Sequence, residues 1–161
     1  MKVFPFDDLD LECLDEYYES EIEVPGSIVP IDLNFESSSV DVSVIESLKG
    51  LIARIDELAK DAFLSISEDF DLGDESETAR FYLEHHLDEL NKDEKLSIFG
   101  TENVGRDEFL SALKLYRIGF YPEDEEAFAV FDVQLPKDLT DYLMAVTFDV
   151  DGNLSYITME S

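Results

Sequence analysis

The sequence predicts a single α+β domain spanning residues 1–161. We expect an N-terminal β-hairpin, two main α-helices and a C-terminal four-stranded antiparallel meander packed against the helices. Three observations predict this class: a strand-turn-strand pattern near the N-terminus, helical periodicity in the middle, and aromatic and β-branched residues crowded into short segments at the end. Strands grouped apart from helices are typical of α+β folds rather than parallel α/β sheets.

The hairpin is predicted from two strand-like stretches, Tyr17–Val24 and Ile28–Phe35, which flank a Pro-Gly-Ser turn. In the second stretch Leu33 and Phe35 alternate with polar residues, so both side chains are expected to face the core. Pro30 favours an edge position for this strand, because proline has no N–H to donate to a neighbouring strand.

The strongest periodicity in the chain runs from Val42 to Ile66, where apolar residues recur at spacings of three and four. This stripe predicts one long helix of about six turns. Asp41 or Ser43 is expected to cap its first turn, and Gly50 is expected to weaken the helix without breaking it.

A second helix is expected to begin at Asp74, whose spacing to Glu77 is typical of an N-terminal capping pair. Its apolar face includes His86, and the polar run Asn91–Lys95 is expected to end it. A short helical segment is predicted at Asp107–Leu113, after a loop.

The last third of the chain is predicted to form the meander. Its four strand-like segments are residues 113–121, 127–135, 141–149 and 153–159. Between the last two segments, Asp151 and Gly152 predict a tight hairpin turn in which both central residues adopt positive φ.

The formal net charge is −29, from 40 Asp and Glu against 11 Lys and Arg. This excess repels phosphates, so direct binding to nucleic acid or to an anionic membrane surface is not expected. No apolar run approaches the roughly 20 residues of a membrane span, and the acidic start does not resemble a secretory signal. The single cysteine, Cys13, is expected to be a small buried residue, and a cytoplasmic location is expected.

The densest cluster of hard oxygen ligands consists of Asp69, Asp71, Asp74, Glu75 and Glu77. Carboxylates of this kind suit Ca²⁺ or Mg²⁺, so the cluster is a candidate for weak cation binding. The spacing does not fit an EF-hand, because counting from the first aspartate places the glycine fifth rather than sixth. No other cofactor and no catalytic residues are predicted.

The sequence contains two further candidate sites, a pair of histidines and a set of aromatic residues. His85 and His86 are adjacent, so on a helix their side chains diverge by about 100° and cannot chelate one ion together. His86 on the apolar face favours a core histidine with one satisfied nitrogen. The aromatic residues of the meander could stack bases, but only Lys114, Arg117 and Lys137 accompany them, so core packing is the better interpretation. Any ring left exposed would favour a protein contact.

The strand Ile31–Phe35, the long helix after it and the ending Leu139–Ser161 resemble a bacterial family catalogued only as a domain of unknown function, of the two-thousand-and-four type. The resemblance implies a bacterial cytoplasmic protein. It implies no catalytic or binding residues.

The charge and the absence of catalytic motifs favour a noncatalytic module that binds a basic protein partner, in the manner of an immunity protein, an antitoxin or a DNA mimic. The alternative is a hydrolase that uses a carboxylate pair or a carboxylate-bound metal, which the abundance of Asp and Glu would supply. A third interpretation makes the charge a solubility or salt-adaptation trait with no partner.

Overall fold

A computed structural model describes residues 1–161. Its six strands are β1 (Tyr17–Val24), β2 (Ser27–Asn34), β3 (Lys114–Phe120), β4 (Ala129–Gln134), β5 (Leu143–Phe148) and β6 (Leu154–Glu160). Its five α-helices are α1 (Val42–Ala53), α2 (Ile55–Asp71), α3 (Ala79–Glu89), α4 (Lys92–Phe99) and α5 (Arg106–Ala112), with a 3₁₀ turn at Gly73–Glu75. The α+β class and the N-terminal hairpin are therefore confirmed.

All six strands form one mixed sheet in the order β1-β2-β3-β4-β5-β6. Neighbours are antiparallel except β2 and β3, which run parallel from Ile31 opposite Ile118 to Leu33 opposite Phe120. A parallel pair requires a crossover, and the whole helical part of the chain provides it. The predicted four-strand meander describes β3 to β6 correctly, but it is only part of the sheet.

The predicted edge position of the second strand is wrong, because β2 lies between β1 and β3. Pro30 is tolerated there because β3 pairs with β2 only from Ile31 onward. The proline therefore lies outside that short parallel ladder, and its missing N–H removes no bond to β3.

The helical region is more divided than the sequence predicts. The long apolar stripe is split at Arg54, whose φ of −104° and ψ of 17° separate α1 from α2. The Arg54 guanidinium donates to the backbone carbonyl of Asp151 at 3.1 Å, a long-range contact that periodicity cannot show. The polar run expected to end a helix instead begins α4, where Asn91 and Glu94 form a reciprocal capping box.

One face of the sheet packs against the helices and forms the core. On this face α2 contacts β1, β4 and β5. Alternate strand residues such as Leu33, Phe120, Phe131 and Val146 are at most 1% exposed. Phe35, just after β2, is also buried. The prediction that Leu33 and Phe35 point inward is confirmed.

Two local predictions are wrong. Cys13 is exposed rather than buried. In the turn between β5 and β6, Gly152 has a φ of 82°, but no non-glycine residue has positive φ. The turn is closed instead by Asp149, whose backbone carbonyl accepts from the Gly152 N–H at 3.0 Å and whose side chain accepts from the Asp151 N–H at 2.9 Å. No helix in the structure is long and apolar enough to cross a membrane.

Candidate functional site

The strand residues that point away from the helices form a second face of the sheet, called here the uncovered face. Four of its polar residues are almost as buried as the core: Asp32 is 4% exposed, Asp132 8%, Gln134 3% and Thr147 2%. Polar groups are rarely this buried unless they are hydrogen-bonded. The uncovered face therefore contains an organised polar centre rather than a simple solvated surface.

Arg117 is the centre of this polar group. Its Nε donates to Asp32 Oδ2 at 2.6 Å and its Nη2 donates to Asp32 Oδ1 at 2.7 Å. The same guanidinium donates through Nη1 to Asp132 Oδ2 at 3.2 Å and through Nη2 to the Tyr121 hydroxyl at 2.9 Å. The pair with Asp32 is bidentate, the strongest and most directional form of this interaction.

Two neighbours hold this arrangement in place. A Cβ added at Gly119 would lie 2.6 Å from Arg117 Nη2, so only glycine leaves room for the guanidinium to cross the sheet at this point. The Asn34 amide donates to Asp32 Oδ1 at 2.6 Å and to the Phe120 carbonyl at 3.2 Å. Asp32 is thus fully engaged by partners within the protein.

The second carboxylate, Asp132, is less well neutralised. Burial alone would lower the pKa of Arg117, but hydrogen bonds with Asp32 and Tyr121 raise that pKa above its ordinary value. Burial raises the pKa of Asp132, and the charges of Glu160 and Asp32 raise it further against the opposing hydrogen bond from Arg117. Because one guanidinium is shared between two buried carboxylates, the negative charge of Asp132 is only partly compensated, and this carboxylate could still bind a further cation.

A cavity of about 720 Å³ opens beside this centre, and we call it the acidic groove. Seven carboxylate residues and one cation line it. Its lining consists of Asn34, Phe35, Glu36, Arg117, Tyr121, Glu123, Asp124, Glu125, Glu126, Ala127, Val130, Asp132, Ala145, Thr147, Tyr156, Thr158 and Glu160. Because that cation is already paired with Asp32, the groove presents a strongly negative surface.

Four of the seven carboxylates belong to one loop, Glu123–Glu126, which is anchored on three sides. Its first carboxylate accepts from the Ser37 N–H at 3.2 Å. The backbone carbonyls of its last two residues accept from the Val150 N–H at 2.8 Å and from the Ser155 hydroxyl at 2.6 Å. The backbone of the loop is therefore fixed, and it keeps four acidic residues next to one another in the chain at the edge of the groove.

Two tyrosines complete the groove. Tyr156 is 48% exposed and Tyr121 is half-buried. The phenylalanines of the same region are all buried in the core: Phe120, Phe128, Phe131 and Phe148. The prediction that core packing accounts for most of these rings is confirmed for the phenylalanines only, because Tyr116, Tyr121, Tyr142 and Tyr156 are half-buried or exposed. The exposed ring of Tyr156 lies where a bound partner could contact it.

Two of the five residues in the acidic cluster predicted from the sequence have partners within the fold. Asp69 accepts from the Ser76 hydroxyl at 2.8 Å and from the Ala79 N–H at 2.7 Å, and thereby caps α3. Asp71 pairs with Arg106 at 2.7 and 3.1 Å. Asp74, Glu75 and Glu77 are exposed. No group of three or more His, Cys, Asp or Glu is placed to hold a metal ion, and cation binding at this cluster stays a prediction.

His86 is a buried histidine of the helical layer, as predicted. Its Nδ1 donates to the Tyr82 carbonyl at 2.7 Å, and its Nε2 bonds with the Thr140 hydroxyl at 2.8 Å. Sequence reasoning expected one satisfied nitrogen. The second partner is 54 residues away in the chain and was not foreseen.

Sequence reasoning missed Asp32 and Asp132 as site residues, and it considered Arg117 only as a possible companion of aromatic rings. The available signal was the presence of charged residues inside predicted strands: Asp32 in one, Asp132 in another, and both Lys114 and Arg117 in a third. Such a residue ordinarily indicates a solvated sheet face. Only the pairing of β2, β3 and β4 as neighbours brings the three side chains together.

The chain matches no family model, no curated protein and no solved structure. The resemblance to a bacterial domain of unknown function therefore stays an expectation, and the function has to be argued from the groove itself.

Proposed function

We propose that this protein is a noncatalytic binding module whose acidic groove holds a basic segment of a protein partner. It would neutralise that partner in the manner of an immunity protein, an antitoxin or a DNA mimic. The observation that carries the proposal is the grouping of seven carboxylate residues around a cavity whose only cation is already paired.

The electrostatics of the groove favour a cationic occupant. Grouped carboxylates repel one another, and the anchored backbone of Glu123–Glu126 keeps their attachment points close together. A bound cation removes this repulsion and attracts every carboxylate at once, so the gain is larger than for one exposed ion pair. The same field would accelerate encounter with a basic protein and would disfavour acidic competitors.

Arginine side chains fit this groove best. Asp132 has only one contact with Arg117, at 3.2 Å, and Glu160 lies close enough to influence its pKa. A guanidinium placed between the two carboxylates could donate to both, because its donors form a fixed fork. The exposed ring of Tyr156 offers a face for cation–π contact with the same group.

The edge strand β1 extends the acidic surface beyond the groove. Glu19, Glu21 and Glu23 lie at alternate, exposed positions of this strand, opposite Asp32, Pro30 and Ile28 on the uncovered face. Alternate residues of a strand are about 6.8 Å apart, so these carboxylates form a regular row. Mimicry of DNA requires charges in rows, and this row supports that version of the proposal. It also protects the free edge of β1 from pairing with another sheet.

The test is affinity capture of a partner from a lysate of the organism of origin with the tagged full chain. Capture is compared at about 0.1 M and about 0.5 M salt, where the Debye length falls from about 10 Å to about 4 Å. We expect a stoichiometric basic protein that is retained at low salt and released at high salt. The triple variant Glu125→Gln, Glu126→Gln, Glu160→Gln should no longer retain this protein at low salt.

The matched control is the triple variant Glu12→Gln, Glu68→Gln, Glu84→Gln. These three residues are exposed, form no ion pair and lie outside the groove, and the control changes the net charge equally. Retention of the partner by the control supports the groove as the binding site. Equal loss of the partner from both triple variants would mean that the overall charge, and not the groove, causes binding. Failure to capture any basic protein would contradict the proposal.

A further inference from the structure

A second cavity, of about 580 Å³, lies at the other end of the sheet and shares no lining residue with the acidic groove. It forms where the turn between β1 and β2, the start of β3, the segment after β4 and the side of α2 converge. Its lining includes three of the seven lysines of the chain, Lys60, Lys114 and Lys137.

The charge of this cavity is opposite to that of the molecule. Its three lysines face one carboxylate, Asp56, and none of them forms an ion pair within 4.0 Å. In a chain with a net charge of −29, unpaired lysines have many carboxylates available to them. Lys137 also lines a neighbouring cavity with Glu19, Glu21 and Asp32. The lining of the present cavity itself has three cationic residues and one anionic residue, an excess of two positive charges.

The rest of the lining is mostly apolar and aromatic. Ile28 is 67% exposed at the cavity, and Phe63 and Tyr116 are half-buried there. Lys137 Nζ lies 5.5 Å from the centre of the Tyr116 ring. An ammonium group held over a ring places positive charge and a flat apolar surface side by side.

A β-bulge positions this ring. Leu115 pairs with Val133 and Arg117 pairs with Asp132, so Tyr116 is the extra residue of β3 at this point. Bulges redirect side chains and are over-represented next to binding sites. Here Tyr116 lines the lysine-containing cavity and also a neighbouring cavity that Arg117 lines.

We propose that this cavity binds a small organic phosphate, namely a phosphate monoester carried on an aromatic or aliphatic group. Such a monoester has a charge of about −1.5 to −2 at pH 7, which matches the local excess of positive charge. The lysines would hold the phosphate oxygens, and Ile28, Phe63 and Tyr116 would cover the apolar part of the ligand. This site is additional to the proposed protein-binding groove and does not depend on it.

The test is an NMR titration of the full chain with phenyl phosphate at about 0.1 M salt, where distant charges are largely screened. We expect saturable shifts of the amide signals of Lys114, Tyr116 and Lys137. Inorganic phosphate should bind at least about tenfold more weakly because it lacks the ring, and benzoate should do so because it has one charge fewer.

Two variants make the test specific. The double variant Lys114→Gln, Lys137→Gln should weaken binding of phenyl phosphate by at least about tenfold, since charge-assisted hydrogen bonds are lost. Lys95→Gln is the control, because Lys95 on α4 also forms no ion pair and lies outside the cavity. No saturable shift with phenyl phosphate, equal weakening in the control, or equally tight binding of inorganic phosphate would each overturn the proposal.

Discussion

The two faces of the sheet are built from alternate residues of the same strands, yet they differ in chemistry. On the helix-covered face, residues such as Ile31, Ile118 and Phe131 are apolar and at most 1% exposed. On the uncovered face, Asp32 and Asp132 are nearly as buried, although no helix lies over them. The centre of the uncovered face is therefore nearly as buried as the core, but burial there removes charges from water and not apolar surface.

The difference shows what each face contributes. Burial of apolar surface stabilises the fold at about 25 cal/mol per Å². Burial of charges costs desolvation energy, and a buried ion pair often stabilises no more than apolar residues of similar volume would. The polar centre of the uncovered face therefore adds little to the stability of the sheet, but it holds charged groups in a fixed geometry. A binding surface needs such a fixed geometry.

The largest difference in stability between substitutions on the two faces is expected within β4. Phe131 is fully buried on the covered face, where its ring packs edge-on against Phe148 with centroids 5.3 Å apart. Phe131→Ala should lower the free energy of unfolding by about 3–5 kcal/mol through lost burial and a residual cavity. The adjacent residue on the uncovered face, Val130, is half-buried, and Val130→Ala should cost less than about 1 kcal/mol.

Urea unfolding followed by circular dichroism measures both values. A comparable loss of unfolding free energy in the two variants would contradict the conclusion that the helix-covered face provides most of the stabilisation by apolar burial.

The second largest effect is expected at Arg117. Arg117→Met removes the cation from two buried carboxylates, and we expect a loss of about 2–3 kcal/mol, reduced from the value for a fully buried pair because the arginine is 35% exposed. The matched control is Arg106→Met. Arg106 makes a bidentate pair with Asp71 at 2.7 and 3.1 Å, but both partners are about half exposed, so about 0–1 kcal/mol is expected.

The same urea experiment compares the two arginines. If Arg117→Met cost no more than Arg106→Met, the buried cluster would be no better ordered than a surface ion pair.

A third prediction concerns the fit between Gly119 and Arg117. A Cβ at Gly119 would approach Arg117 Nη2 to 2.6 Å, so Gly119→Ala should displace the guanidinium from Asp32 and cost about 1–2 kcal/mol. With Arg117→Met already in place there is no guanidinium to displace. The glycine substitution should then be neutral or slightly stabilising, because alanine suits a strand better.

A double-mutant cycle measures this coupling directly. Additive effects of the two substitutions would show that Gly119 is required for another reason.

Local features of this fold were predictable from the sequence and long-range ones were not. The hairpin was recognised because its alternation and turn are contiguous in the chain. The parallel contact between Ile31 and Ile118 joins segments 87 residues apart, and nothing in either segment indicates the other. The break at Arg54 was missed for the same reason, because its contact with Asp151 is tertiary.

The candidate site shows the same limit. Arg117 and Asp32 are 85 residues apart in the chain. Each residue alone has the pattern of a solvent-facing strand position, which is the usual interpretation. The acidic character of the protein was evident from composition, but its concentration around one cavity depends on strand order and on the anchored loop Glu123–Glu126. Composition predicts the sign of the charge on the proposed partner, and only the fold indicates where such a partner would bind.

The smallest effect on stability is expected from the response of Asp132 to pH. Burial raises the folded-state pKa of Asp132, with Glu160 and Asp32 adding to the effect against Arg117. Because this pKa is higher than that of the unfolded chain, the folded state binds the proton more tightly. Ionisation of Asp132 therefore destabilises the fold, and the full penalty is present at pH values above the folded-state pKa. Asp132→Asn removes that penalty and keeps an oxygen for the hydrogen bond from Arg117.

The variant should therefore be more stable than the wild type at pH 7, and the difference should shrink as the pH falls toward the ordinary carboxyl value of 3.8. Urea unfolding at several pH values measures this difference, and Asp138→Asn, at an exposed position, is the control for the lost charge. A stability difference that stays constant with pH would mean that Asp132 is already neutralised by Arg117. Asp132 would then have no capacity left for a partner's cation, and the acidic groove would have to bind through its rim alone.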